Sequence, residues 1–588
     1  MPLTAPDIFL MSSVRDIFEI YLSPMMLILL MFVISGLCAL IIYVWISVKK
    51  HGWITGFAVV NLLVFGGVLG LFFHKLPEKG MLDKTNQFYN LAEAYEKNGF
   101  AYCFASSIVT GGVDEPEAYS FEEVAEIVEE HTENLPNTVS DPPNLIFVQL
   151  ESFFDPNYMK DIRFEYDPIP NFRSLKEDFS HGFLSVPCIG AGTANTEFEV
   201  LTGMNLSHFG VGEYPYSTIA DSNELVSVAS VLSDLGYYTH AIHNNNATFY
   251  DRHIVYDNFG FDTFTPLEYM GTVEYNPLGW AKDSCLTDEI LKCLHADEST
   301  DFVFTVSVQP HGRYPKEPIE GANVIESYGF ADQERANGFS YFLNELSESD
   351  RFIKELTDAL SQFSERTLVV FYGDHLPSFN IQNEELCCGT NQTTEYVIWS
   401  NYAMPKTEKT LQTYQLSAFV MELAGIYEGT IFNLHQSYEY ADESLESYQT
   451  DLQTLEYDMT SGDDYATRGE SPNSGAGLRF DVEDILLRDI IISDPTSNSF
   501  RVLGQCFTPY SVVHVNQKPC ATTYLSNTAL LVNDYTLQAG DEVSVVQVSA
   551  ADPLVPLGEG NSLTVALENN EKNLYDFPSK SLDFIKQK

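Results

Sequence analysis

Leu145-Ile-Phe-Val-Gln-Leu150 is an apolar run that ends directly before the acidic residue Glu151. Short runs rich in β-branched and aromatic residues are typical of buried strands. Two further runs have the same form and also end on polar groups, Thr367-Leu-Val-Val-Phe-Tyr-Gly-Asp-His375 and Phe302-Val-Phe-Thr-Val-Ser-Val-Gln-Pro-His311. Ligands of open α/β sheets lie beyond the carboxyl ends of the parallel strands. The three runs therefore predict a sheet that gathers carboxylate and imidazole side chains at one edge.

Between residues 144 and about 430, strand-like runs alternate with stretches at helical spacing. This alternation predicts an α/β domain with a mainly parallel central sheet. The predicted strands are Leu145–Leu150, Tyr237–Ala241, Phe302–Val308 and Thr367–Tyr372, and the predicted helices are Thr196–Thr202, Glu224–Leu235, Gly338–Gln362 and Thr413–Ala424.

The polar residues at the strand ends suit a divalent cation. Glu151, Asp374 and His375 offer oxygen and nitrogen ligands of the kind that bind Mn²⁺, Zn²⁺ or Mg²⁺. Each residue alone is equally explained as a capping residue or a solvated loop residue. Because they follow strands that end at one sheet edge, together they favour a metal site.

A nucleophile is predicted in the small-residue loop Gly190-Ala-Gly-Thr-Ala-Asn-Thr-Glu-Phe198, which opens into a helix. Thr193 or Thr196 would lie near the helix N-terminus, where backbone N–H groups favour an anion. The alternative for either threonine is a plain helix N-cap.

The charge balance excludes one class of partner. The chain has 588 residues, with 83 Asp and Glu against 31 Lys and Arg, a net charge of −52. Such a surface repels phosphate backbones, so nucleic-acid binding is not expected. An anionic substrate would need a local cation, which a bound metal could supply.

Five motifs occur in order along the chain: NLIFVQLES at 144–152, GTANTEF at 192–198, FYDR at 249–252, QPH at 309–311 and GDHLP at 373–377. Together they resemble the lipoteichoic acid synthase family, membrane phosphoglycerol transferases with a sulfatase/alkaline-phosphatase-like extracellular domain. The resemblance covers about residues 1 to 430.

The resemblance implies a role for each matching residue. Thr193 corresponds to the catalytic threonine, which in the family also touches the metal. The family's usual ion is Mn²⁺, although Mg²⁺ or Zn²⁺ would suit the same ligands. The implied metal ligands are Glu151, Thr193, Asp374 and His375, and the implied substrate-binding residues are Tyr250, Arg252 and His311; the family often has Trp where Tyr250 stands.

The implied reaction moves glycerol phosphate from phosphatidylglycerol to an acceptor hydroxyl through a threonine-linked intermediate. The acceptor would be a glycolipid or a glycan, in the synthesis of lipoteichoic acid or a related cell-envelope polymer. Two alternatives stay open: another phospho-transfer of the alkaline-phosphatase superfamily, by a phosphoethanolamine transferase or phosphodiesterase, and a non-catalytic cell-surface binding protein. A sulfatase is disfavoured, because Cys188 is followed by Ile-Gly-Ala-Gly and not by the Pro and Arg that a sulfatase motif needs.

Two apolar runs near the start, about 25–48 and 54–73, are each close to the length of a transmembrane helix. Lys49 and Lys50 in the loop between them predict that this loop is cytoplasmic and that both flanking ends are outside. We therefore expect a multi-pass protein of the cell membrane with an extracytoplasmic catalytic domain and the lipid bilayer as a partner. The family usually has about five spans, so the chain resembles an N-terminally short member.

The expected organisation has six parts. The apolar runs define the membrane region, and a Pro and Asn cluster ends the helical connector that follows it. Near the end of the chain, β-rich sequence with turn residues predicts a small Ig-like or IPT-type sandwich. The expected bounds are a membrane region at 1–75, a helical connector at 76–143, the catalytic domain at 144–430, an acidic tail and linker at 431–475, the β-sandwich at 476–570 and a C-terminal tail at 571–588.

Overall fold

The computed structural model describes residues 111–210, 212–322, 324–467, 477–492 and 498–566, with a few scattered positions between residues 35 and 107. The predicted membrane spans lie almost wholly outside these residues, and so does the predicted C-terminal tail. Within the described part, no helix is both long enough and apolar enough to cross a bilayer.

The chain divides into two compact units. One is drawn from residues up to Asp114 together with Ser207–Thr218, and in it Glu213 accepts hydrogen bonds from Gly112 N and Thr218 Oγ1. The other is drawn from Glu115–Leu206 and from Ile219 onward, and it holds all the elements described below.

A nine-stranded sheet forms the centre of the second unit. Its strands are β1 (Asn144–Leu150), β2 (Ser180–Ser185), β3 (Tyr237–His243), β4 (Thr263–Pro266), β5 (Thr300–Val306), β6 (Thr367–Gly373), β7 (Thr393–Ser400), β8 (Leu411–Gln412) and β9 (Arg479–Phe480). Their order across the sheet is β8-β2-β7-β6-β1-β5-β3-β4-β9. All neighbours run parallel except β7, which is antiparallel to both β6 and β2. This is the predicted mainly parallel α/β sheet.

Register brings the strand ends together. Strand β1 is buried along its whole length between β5 and β6. Gln149 lies opposite Val306 of β5, and Leu150 lies opposite Gly373 of β6. The residues that follow these strands therefore emerge side by side at one edge of the sheet.

Helices cover the sheet and follow the sequence patterns closely. The helix predicted at Thr413–Ala424 has these bounds in the structure. The one predicted from Glu224 begins later, because Ser227 is its N-cap and forms a capping box with Ser230. The helices are α1 (Phe121–Glu133), α2 (Pro170–Asp178), α3 (Thr193–Thr202), α4 (Val228–Asp234), α5 (Arg252–Asn258), α6 (Cys285–Leu294), α7 (Gln333–Leu360), α8 (Thr413–Ala424), α9 (Thr430–Ser437) and α10 (Glu446–Thr460).

The region expected to be a tail and linker, 431–475, contains helices α9 and α10. Their buried faces include Leu434, His435, Tyr448 and Leu452. Acidic residues on both the exposed and the buried sides of α10, Glu446 and Glu456 among them, interrupt its apolar spacing.

The C-terminal β-rich region forms two antiparallel sheets around one apolar core. The strands of this region are β10 (Leu486–Ile491), β11 (Phe500–Gln505), β12 (Ser511–Val515), β13 (Lys518–Pro519), β14 (Thr522–Ser526), β15 (Ala529–Val532), β16 (Glu542–Val548), β17 (Pro556–Glu559) and β18 (Leu563–Thr564). One sheet has the order β10-β11-β15-β14, and the other has the order β13-β12-β16-β17 with β18 also paired to β16. This arrangement agrees with the expected small sandwich, but Arg479–Phe480 at its expected start completes the nine-stranded sheet as β9.

Candidate active site

Three side chains that could bind a metal ion meet at the carboxyl edge of the sheet. Glu151 follows β1, and Asp374 and His375 follow β6. One donor atom from each lies within 4.8 Å of the other two, and all three residues are buried. His375 Nε2 is 3.4 Å from Asp374 Oδ2 and 3.9 Å from Glu151 Oε1. Two ligands bound to one ion at about 2.1 Å each are at most about 4.2 Å apart, so these separations fit a shared cation.

Hydrogen bonds occupy one polar side-chain atom of Asp374 and one of His375, and leave the other polar atom of each residue available to a metal ion. Asp374 Oδ1 accepts from Ser152 N at 2.8 Å and from His375 N at 2.7 Å, and His375 Nδ1 lies 2.9 Å from Leu376 O. Within the described residues, Asp374 Oδ2 and His375 Nε2 are buried without a hydrogen-bond partner. Buried polar atoms are costly to leave unpaired, so this pattern fits a bound metal ion.

Electrostatics at this point favour a cation. Burial and, after it, the neighbouring Asp374 carboxylate raise the pKa of the Glu151 carboxyl to about 8. A divalent ion between the two carboxylates would remove this repulsion and stabilise both ionised groups.

Thr193 is the first residue of α3 and lies against the ligand group. Its Oγ1 is 3.4 Å from Glu151 Oε2, and its carbonyl accepts a hydrogen bond from Gln149 Nε2 at 3.2 Å. The preceding Gly192 has φ 106°, a left-handed conformation that favours glycine. Thr196, the other candidate nucleophile, is fully buried and donates to the main-chain oxygen of Asp374 at 2.9 Å. The geometry therefore places the hydroxyl of Thr193, and not that of Thr196, beside the Glu151 carboxylate.

Arg252 is buried and held by a carboxylate. Its Nε donates to Glu197 Oε2 at 3.1 Å, its Nη2 donates to Glu197 Oε1, and its Nη1 donates to Phe249 O at 3.3 Å. Tyr256 Oη donates to the same carboxylate at 2.8 Å. Glu197 lies one helical turn after Thr193 on α3, so one helix positions both the hydroxyl and the guanidinium.

Tyr250 and His311 complete the set predicted from sequence. The Arg252 guanidinium lies 5.2 Å from the centroid of the Tyr250 ring, and Tyr250 has φ 58°. His311 contacts the Trp280 ring, with centroids 4.5 Å apart. Burial lowers the pKa of His311, so its imidazole is neutral at pH 7.

Sequence analysis did not single out His243 or Glu197. His243 is the last residue of β3, is buried, and has its Nδ1 2.9 Å from Val306 O. Burial lowers the pKa of His243 well below its ordinary value, and the charge of Arg252 lowers it further. Had the predicted strand Tyr237–Ala241 been two residues longer, His243 would have been placed at the carboxyl edge.

Comparison with known proteins assigns the domain. Residues 143–426 match the family described as sulfatase. This chain contains a sulfatase-family domain. The phosphoglycerol transferase GacH of Streptococcus pyogenes, solved in complex with sn-glycerol-1-phosphate, has the same fold, with a TM-score of 0.54 and 22% identity over 62% of this chain and 100% of that one.

Two curated proteins are similar to part of this chain. The lipoteichoic acid synthase-like protein YvgJ of Bacillus subtilis is 23% identical over 258 residues, 43% of this chain and 40% of that protein. A Rhizobium meliloti protein named for cyclic beta-1,2-glucan modification is 29% identical over 381 residues, 61% of this chain and 58% of the relative. The chain thus spans less than two thirds of these relatives. With the sulfatase match, these findings confirm the resemblance to the lipoteichoic acid synthase family.

Proposed function

We propose that this protein transfers glycerol phosphate from phosphatidylglycerol to an acceptor hydroxyl. One observation carries the proposal: the Thr193 hydroxyl lies 3.4 Å from Glu151, beside the unpaired Asp374 Oδ2 and His375 Nε2, and one helical turn from the Glu197–Arg252 pair. This arrangement combines a nucleophile, a cation site and a buried guanidinium, which phosphoryl transfer requires.

The first step uses Thr193 as the nucleophile. Its Oγ1 attacks the phosphorus of the lipid head group, the phosphorus–oxygen bond to diacylglycerol breaks, and diacylglycerol leaves with a proton. Arg252, oriented by Glu197, stabilises negative charge on the phosphate oxygens. Tyr250 packs beside that guanidinium and would contact the glycerol group.

The second step regenerates the threonine. An acceptor hydroxyl attacks phosphorus, the bond to Thr193 Oγ1 breaks, and Thr193 recovers a proton. His311 is neutral and can accept the proton of the acceptor hydroxyl. His243, at the same sheet edge, is a second neutral imidazole available for proton transfer.

Glu151, Thr193, Asp374 and His375 would hold the metal, for which we propose Mn²⁺. Such an ion lowers the pKa of a hydroxyl and neutralises phosphate charge. The proposed acceptor is a glycolipid or a glycan. One relative is named for glucan modification, which supports a saccharide.

Thr193→Ala tests the nucleophile. With full-length protein, Mn²⁺ and fluorescent-acyl phosphatidylglycerol, we expect diacylglycerol release to fall at least about a thousandfold, because the covalent route is lost. Thr454→Ala, which changes a buried threonine on α10, is the matched control and should retain release. Unchanged release by Thr193→Ala would refute the assignment, and release from phosphatidylethanolamine alone would assign the phosphoethanolamine branch.

We also propose that the protein is a multi-pass membrane protein with its catalytic domain outside the cell. The support is the pair of apolar runs and the Lys49–Lys50 loop between them. Protease added to intact cells should remove the catalytic domain; complete protection in cells with a permeable envelope would contradict this orientation.

A further inference from the structure

A hairpin at residues 275–281 lies beside the candidate active site. An antiparallel bridge joins its ends, and Asn276 N donates to Trp280 O at 2.8 Å. The Asn276 side chain is buried, and its Nδ2 donates to Gln309 O at 3.1 Å. The hairpin is therefore fixed to the loop that carries His311.

The β-sandwich braces this hairpin. Tyr510, just before β12, has its hydroxyl 3.3 Å from the hydroxyl of Tyr275. Tyr510 and Trp280 both pack against an apolar cluster that includes the buried Val308. Trp280 in turn contacts the His311 ring. We name Tyr275, Trp280 and Tyr510 the aromatic ledge; it is built from both the catalytic domain and the sandwich.

Buried polar contacts hold the sandwich in this position. The main-chain oxygen of Glu268 accepts a hydrogen bond from Thr508 Oγ1 at 2.6 Å. The fully buried Glu268 carboxylate accepts from Ala247 N at 3.1 Å and from Ala550 N at 2.9 Å. One carboxylate therefore ties the loop before Tyr250 to the sandwich, so the ledge has a defined position beside the site.

The ledge has the chemistry of a saccharide platform. Tyr275 is 46% exposed, and Trp280 and Tyr510 are half-buried, so their rings reach solvent. Aromatic rings with polar tips pack against the apolar faces of a sugar and offer hydrogen bonds to its hydroxyls. The net charge of −52 disfavours a polyanionic acceptor.

We propose that the aromatic ledge is the acceptor subsite, which binds a neutral saccharide and presents one of its hydroxyls toward His311. This inference rests on the proposed function and specifies its acceptor. It also gives the sandwich a direct part in acceptor choice.

Saccharide binding tests the ledge without requiring turnover. Titrating full-length protein with a neutral gluco-oligosaccharide should change tryptophan fluorescence, and Trp280→Phe should abolish the change. Tyr510→Ala should raise the Kd about tenfold, because one stacking face is lost. Tyr275→Ala, which alters an exposed side chain, should have the same effect and replaces Tyr510→Ala if that variant does not fold. Tyr166→Ala, another exposed tyrosine, is the matched control and should leave the Kd unchanged.

Transfer assays separate this inference from the proposed function. With labelled phosphatidylglycerol, the ratio of saccharide transfer to diacylglycerol release should fall about tenfold in Tyr510→Ala and Tyr275→Ala. If the wild type releases no diacylglycerol, the proposed function fails. The tryptophan-fluorescence titration then tests the ledge by itself. Equal saccharide affinity in wild type and ledge variants, or ledge-dependent binding of poly(glycerol phosphate) in place of the neutral saccharide, would overturn the inference.

Discussion

Arg252 depends on Glu197 for its position, since two of its nitrogens donate to that carboxylate in a fully buried pair. Glu197→Gln leaves a buried guanidinium without its counter-charge. We expect the free energy of unfolding to fall by about 3 kcal/mol, and kcat/KM for phosphatidylglycerol to fall at least about tenfold, mainly through kcat. Denaturant unfolding and steady-state kinetics measure the two effects. Glu355→Gln, an exposed glutamate on α7, is the control, and a Glu197→Gln protein with wild-type stability and kinetics would show that Arg252 is held by other contacts.

At the scale of elements, α3 and α8 pack together with a buried carboxyl group between them. Thr413, at the start of α8, donates to Glu199 Oε2, and Leu206 N donates to Glu199 Oε1 at 2.9 Å. Burial raises the pKa of Glu199 from 4.5 to about 8. The folded protein therefore keeps a proton that the unfolded chain loses above pH 4.5, so this group makes the protein less stable as the pH rises from about 4.5 to about 8.

Glu199→Gln should remove this dependence, because the amide keeps the hydrogen-bonding shape and cannot ionise. We expect the variant to gain stability relative to wild type as the pH rises, by up to about 1.4 kcal/mol per pH unit. Unfolding by urea at pH 5, 6, 7 and 8 measures the difference. Parallel stability curves for the two proteins would contradict the buried protonated carboxyl.

At the scale of the whole molecule, the sandwich and the sulfatase-family domain share an apolar core. Tyr269 of the sulfatase-family domain belongs to the sandwich's apolar cluster and stacks on Phe480 of β9, with ring centroids 5.3 Å apart. Tyr269→Ala should lower the free energy of unfolding by about 3–5 kcal/mol, the usual cost of removing a large buried aromatic side chain. Calorimetry of the wild type should show one transition for the sulfatase-family domain and the sandwich. Separate transitions, with only the sandwich affected by the substitution, would show that the two parts fold independently. As a control, Tyr166→Ala should change the free energy of unfolding by less than about 0.5 kcal/mol.

Local sequence predicted much of the fold because the deciding patterns are short-range. The four predicted strands all form, within two residues at each end, and their buried apolar runs read directly as parallel strands. The residue types at the strand ends also indicated a cation site, since open α/β sheets bind their ligands beyond the carboxyl ends of the strands. The helices of 431–475 were not predicted, because α9 is short and because Glu456 and Asp458 share the buried side of α10 with its apolar residues.

The strands and the types of residue that follow them can be predicted from local sequence, because periodicity and strand-end residues are local properties. Long-range packing sets which threonine faces Glu151, places Glu197 against an arginine 55 residues away, and brings Tyr510 to the hairpin beside His311. Those facts depend on which distant segments pack together. Packing of that kind is set by the sum of many long-range contacts, and no short stretch of sequence encodes it.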